Sequence, residues 1–112
     1  MTIYITQGRY THDAIKGMTA KAEDRTEAVR ALFTKLGGKL IAFYLTFGEY
    51  DFIIIAEAHD EKTVATAVLA AAAAGGVTDL RTTVALNWTD AKAAFEAAGK
   101  LAGSFQTAGG AR

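Results

Sequence analysis

The chain has 112 residues, 51% of them hydrophobic and 21% charged, which fits one domain with its own core. Cysteine is absent, so disulfides and thiolate metal sites are excluded, and His12 and His59 are too few for a histidine-rich metal cluster. Lys plus Arg equals Asp plus Glu at 12 each, and the basic residues are scattered, so neither a net field nor a basic stripe favours nucleic acid.

The opening residues Thr2–Gly8 alternate at strand period, with Ile3 and Ile5 on one face and Tyr4 and Thr6 on the other. They carry no basic region followed by a long apolar stretch, so they read as a strand rather than a signal peptide. Residues 8–17 predict a loop with a short helical turn at 13–16. A helix follows over about 23–36, with Val29, Leu32, Phe33 and Leu36 on one face. Gly37 and Gly38 stop it. Residues 40–47 predict a second strand, with Ile41, Phe43, Leu45 and Phe47 on one face and Leu40, Ala42, Tyr44 and Thr46 on the other. A tight connection, Gly48-Glu49-Tyr50-Asp51, joins it to a third strand over 52–58 as a hairpin.

Asp60 is placed to cap a helix over about 61–74, and its alanines favour helix and allow close approach. The apolar run Ala67–Ala74 falls well short of the ~18 residues a membrane span needs, so no membrane association is expected. Residues 77–86 predict a fourth strand. Leu80, Val84 and Leu86 share one face, and Asp79, Arg81, Thr83 and Ala85 the other. Thr89 can cap a last helix to about Leu101, with Phe95 and Leu101 on its apolar side and Trp88 as its packing anchor. The expected division is a domain over 1–101 and a loose Gly- and Ala-rich tail over 102–112.

The order is βαββαβ plus a C-terminal helix, an α+β, ferredoxin-like arrangement with a four-stranded antiparallel sheet whose first and third strands are central. The third strand is apolar on both faces: Phe52, Ile54 and Ala56 on one, Ile53 and Ile55 on the other. Such a strand must be covered twice. Two helices cover only one face, the last helix is expected to cover at most part of the other, and no remaining segment is large enough for the rest. The expected cover is a second subunit, sheet against sheet, in a homo-oligomer.

The hairpin Phe43–Ile55 resembles the signature of the GYD domain family, whose Gly, Tyr and Asp are Gly48, Tyr50 and Asp51 here. Residues 36–40, Tyr4-Ile5 with Gly8-Arg9-Tyr10, and Leu80-Arg81-Thr82-Thr83 are similar to the family in the same order, over roughly 2–98. The resemblance implies a ferredoxin-like fold that associates as a dimeric α+β barrel, and it implies no established activity.

The residues leave two functional readings open. In the first, the chain binds a small aromatic or enol-type molecule at the sheet face, or is a cofactor-free enzyme acting there by proton transfer or oxygenation. Arg81 would hold an anion, His12 or Asp51 would move a proton, and Tyr4, Tyr44 and Tyr50 would line the site. In the second, the chain is a non-catalytic oligomeric module. Gly48 and Asp51 then do turn chemistry, His12 is solvated, and Arg81 serves an intersubunit salt bridge. No cofactor and no metal is called for in either. The Gly pairs 37-38 and 75-76 follow helices rather than precede them, so neither is a phosphate loop. The absence of cysteine suits a reducing cytoplasm.

Overall fold

A computed structural model describes residues 1–110. The elements are β1 (Thr2–Tyr10), α1 (His12–Ala20), α2 (Thr26–Lys35), β2 (Lys39–Leu45), β3 (Phe52–Ala58), α3 (Glu61–Ala73), β4 (Val77–Ala85) and α4 (Trp88–Ala102). The sheet order is β2-β3-β1-β4, with every pair antiparallel. The expected ferredoxin-like arrangement is therefore present, with β1 and β3 at its centre.

Local chemistry explains most boundaries. Thr11 caps α1 by accepting from the Ala14 N–H at 3.2 Å. Asp60 caps α3 by accepting from the Thr63 N–H at 2.9 Å, as its position suggested. The hydrogen bonds from the Thr63 N–H and hydroxyl hold the Asp60 carboxyl below the ordinary carboxylate range. Asn87, not Thr89, caps α4, accepting from the Asp90 N–H at 2.8 Å. Gly37 ends α2 in the left-handed region, at φ 78°.

Two expectations near the N-terminus need correction. β1 runs on through Arg9 and Tyr10, and the predicted turn is a full nine-residue helix, α1. Gly8 is not a strand end. It is a point of close approach, because a Cβ there would lie 2.6 Å from the side chains of both Phe52 and Leu80.

The core lies between the sheet and α2 and α3. Phe33 of α2, Ala56 of β3 and Ala67 of α3 form one buried cluster, with Val29, Leu32, Leu36 and Ile54 packed against it. Tyr4, Ala58 and Val64 form a second, with Val68 against it. Burying a side chain such as Phe33 stabilises the fold by about 1.5–3 kcal/mol.

Two bulges reset the alternation. Leu40 pairs with Ala56 and Ala42 pairs with Ile55, so Ile41 is an extra residue in β2. The expected face sharing in β2 therefore fails: Leu40, 4% exposed, joins Phe43 on the helix side, while Ala42 and Tyr44 turn to the other. In β4, Gln7 pairs with Arg81 but Arg9 pairs with Thr78, which puts one extra residue in β4. Asp79, with φ 52°, carries that irregularity.

The face of the sheet away from α2 and α3 carries Ile3, Ile5, Ile53, Ile55 and Tyr44, and these side chains are half-buried or exposed. The last helix does not cover it. Every residue of α4 beyond Ala91 is exposed, Phe95 at 70% and Leu101 at 66%. Trp88 is 80% exposed, so it is not the expected packing anchor. α4 extends away from the sheet, and the molecule measures 62 × 30 × 22 Å. Residues 103–110 follow it without regular structure, apart from turns at 103–104 and 108–109.

Candidate functional site

The β2–β3 connection is tied down at one end of the sheet. The Thr46 hydroxyl donates to the Tyr50 carbonyl at 2.7 Å, and the Thr46 N–H donates to the Asp51 carbonyl at 2.8 Å. The Asp51 N–H donates to the Gly8 carbonyl at 2.8 Å. The Asp51 carboxylate in turn accepts from the Tyr10 N–H at 2.9 Å. Asp51 thus staples the hairpin to the end of β1 through both backbone and side chain. Gly48 supplies the turn with φ 142°, a value open to glycine and strained for other residues.

This staple places the Tyr50 ring within reach of two arginines. The guanidinium carbons of Arg9 and Arg81 each lie 5.9 Å from the ring centroid. Both distances are within cation–π range. The register explains the convergence. Gln7 and Arg81 face each other across β1 and β4 on the side of Ile5 and Ile53, and Arg9 follows Gln7 at strand period. Among the described residues, neither Arg9 nor Arg81 belongs to an ion pair; the pairs present are Arg25–Glu23, Arg30–Glu27 and Lys92–Glu96. Two unneutralised guanidinium groups around one aromatic ring, beside an apolar surface, can take a carboxylate or another planar anion.

The other residues singled out from sequence are dispersed. Tyr4 is 5% exposed and packs with Ala58 and Val64 beneath α3, so it lies on the opposite face from Arg81 and Tyr44. Strand alternation itself dictates this: Tyr4 pairs with Ala56, and Ala56 belongs to the core. Tyr44 is on the open face and 62% exposed. His12 is the exposed first residue of α1. Among the described residues, no group of three or more His, Cys, Asp or Glu side chains is placed to hold a metal ion.

Arg9 and Tyr10 were missed as participants. Extending the alternation of Ile3 and Ile5 through Gly8 would have put Arg9 on their face and Tyr10 on the other. The Tyr10 ring packs against Phe52 with centroids 5.0 Å apart and the ring planes tilted by 43°. Burial pushes the Tyr10 hydroxyl above its ordinary pKa, the nearby Arg25 charge opposes that shift, and Asp51 and Glu23 add to it.

A second concavity lies on the helix side. α2 and α3 stand apart over the sheet and leave a cleft of about 390 Å³, floored by Phe52, Ile54 and Leu80. No helix among the described residues is long and apolar enough to cross a membrane.

Comparison with known proteins bears on the family and the fold. A Thermus thermophilus protein named glutamine synthetase and cystathionine beta-lyase binding protein is 32% identical over 77 residues, covering 69% of this chain and 81% of that protein. The crystal structure of TTHA0845, also from Thermus thermophilus, superposes with a TM-score of 0.50 at 17% identity, covering 78% of this chain and 95% of that one. The crystal structure of MtbAldR superposes with a TM-score of 0.52 at 16% identity, covering 77% of this chain and 52% of that one. At these identities the structural likenesses speak to the fold alone. Residues 4–95, which include the stapled hairpin and both arginines beside Tyr50, match the GYD domain, and the chain belongs to the GYD domain family.

Proposed function

We propose that this chain is a binding protein rather than an enzyme. Its open sheet face joins a second copy, and the Arg9–Tyr50–Arg81 group at the margin of that face takes a carboxylate presented by a ligand or partner. The observation that carries this reading is the bare apolar face: Ile3, Ile5, Ile53 and Ile55 lie in the two central strands, and no helix among the described residues covers them. A contiguous apolar patch on central strands is a surface for association. The arrangement of polar groups favours binding over catalysis. Asp51 spends its carboxylate on the Tyr10 N–H, and His12 is exposed on α1, so no acid–base pair is assembled beside Arg81 among the described residues. The Thermus thermophilus relative is named for binding two enzymes, which supports a role in holding a partner.

The test is sedimentation velocity on the wild-type chain and on Ile55→Lys. Ile55 is on the open face opposite Ile5, so a lysine there leaves the core intact. The expected outcome is an oligomer for wild type and a folded monomer for Ile55→Lys at micromolar concentration. A wild-type monomer, or an Ile55→Lys chain that assembles as wild type does, would overturn the reading.

A further inference from the structure

We propose that the cleft between α2 and α3 is a second binding site, on the face opposite the open one, for an amphiphile with one hydrocarbon chain and a carboxylate head. Its volume, about 390 Å³, lies within the size range of small-molecule sites. Its walls are apolar. Val29 and Leu32 line it from α2, and Ala67 and Ala71 from α3. The alanines explain why the cleft exists. With larger side chains α3 would fill the space over Phe52 and Ile54, but methyl groups leave it open.

The floor makes no polar demand on a ligand. Its one buried hydroxyl, on Thr6, is already paired with the Thr82 hydroxyl at 2.9 Å. A hydrocarbon chain therefore fits the cleft without stranding a polar group.

Polarity is confined to particular positions. Tyr10 and Arg25 line both this cleft and a neighbouring depression of about 550 Å³ against α1, so they stand where the two concavities meet. The Tyr10 hydroxyl is protonated at neutral pH, as tyrosine ordinarily is, and is able to donate. Arg25 pairs with Glu23 at 3.5 Å, but both side chains are about half exposed, and such surface pairs hold weakly. The guanidinium is free to turn to a carboxylate head while Tyr10 donates to the same group. Lys35 adds a further positive charge at the rim.

The site is tested by isothermal titration calorimetry of the full-length protein with sodium dodecanoate, using dodecanol for comparison. Expected is saturable binding of dodecanoate, one per chain, at least tenfold weaker for Arg25→Gln and lost in Ala71→Phe, which fills the cleft. Ala28→Trp, at an exposed position on the rim, should also abolish binding while circular dichroism shows a native fold. The proposal is overturned if dodecanoate does not bind, or if Ala28→Trp and Ala71→Phe bind undiminished. It is also overturned if the cleft-filling variants change the sedimentation coefficient and leave dodecanoate binding as it was, since the occupant would then be protein.

Discussion

The two faces of the sheet are built from the same strands and nearly the same residue types, yet only one is a core. On the helix side Phe52 is 3% exposed, Ala56 1% and Ala58 0%. On the other side their neighbours Ile53, Ile55 and Ile5 remain half-buried, although isoleucine is more apolar than alanine. Composition therefore does not decide which face is buried. Connectivity does, because both βαβ crossovers place their helices on the same side. The apolar residues of the second face are left over from intrachain packing, and association is what would use them.

The sharpest way to probe that asymmetry is to truncate adjacent residues of β3. Phe52→Ala removes a buried ring that touches Tyr10 and Phe43 and should cost about 3–5 kcal/mol. Ile53→Ala, one position along, should cost about 1 kcal/mol in the dilute chain, since much of that side chain is already wet. Urea unfolding measures both. If copies associate through the open face as proposed, the gap should narrow as protein concentration rises, because Ile53 would be buried and Phe52 left as it was. A gap independent of concentration would speak against the open face as an interface.

A smaller effect is expected where the hairpin is stapled to β1. Asp51→Ala leaves the Tyr10 N–H without its acceptor and should cost about 1–3 kcal/mol. Asp51→Asn keeps an acceptor oxygen and should retain most of the stability. Hydrogen exchange at the Tyr10 amide separates the two, with fast exchange expected only in Asp51→Ala. If Asp51→Asn were as damaging, the carboxylate charge rather than the hydrogen bond would be what the site requires.

Tyr10 makes the stability of the fold depend on pH. Its pKa is raised in the fold, chiefly by burial, so the folded chain holds the phenolic proton more tightly than the unfolded chain does. The contribution is fully present below pH ~10, the ordinary tyrosine value, and is lost as pH rises through the folded value. Stability should therefore fall above pH ~10 in wild type and fall less in Tyr10→Phe. Thermal melts from pH ~8 to ~11 check this, and an identical decline in both chains would rule Tyr10 out as the source.

The fold was legible because the strand and helix periods were clean, and because Gly37, Gly48 and Asp60 mark turns and caps by their chemistry. The candidate site was legible only in pieces. Arg81 was placed on the open face by alternation alone, and the register agrees. Alternation separates Tyr4 from Ile3 and Ile5 without saying which of the two faces meets the helices, and the core claims Tyr4. The bulges at Ile41 and around Asp79 were invisible, since an extra residue leaves no mark on composition and shifts every later side chain by one face. Arg9 was lost for a related reason: Gly8 looked like a strand end, and only the close approach of Phe52 and Leu80 shows why the strand continues through a glycine.

The bulge in β4 offers the smallest and most specific test. Asp79 has φ 52° and is the one non-glycine residue among those described with a positive φ. An L-residue in that region carries a penalty of roughly 1–2 kcal/mol, which aspartate tolerates better than most. Replacing it by glycine removes the penalty but gives the unfolded chain more freedom, at a cost of roughly 0.5–1 kcal/mol. The difference favours Asp79→Gly by about 0.5 kcal/mol, and Asp79→Ala should be less stable than either. Because Arg81 reaches the open face only past this bulge, both variants also report on the site. Asp79→Gly should keep Arg81 beside Tyr50 and leave the tyrosine fluorescence of that ring unchanged. An Asp79→Gly chain less stable than wild type would mean that the aspartate side chain itself holds the bulge, and that the turn from the helix face to the arginine pair depends on more than backbone conformation.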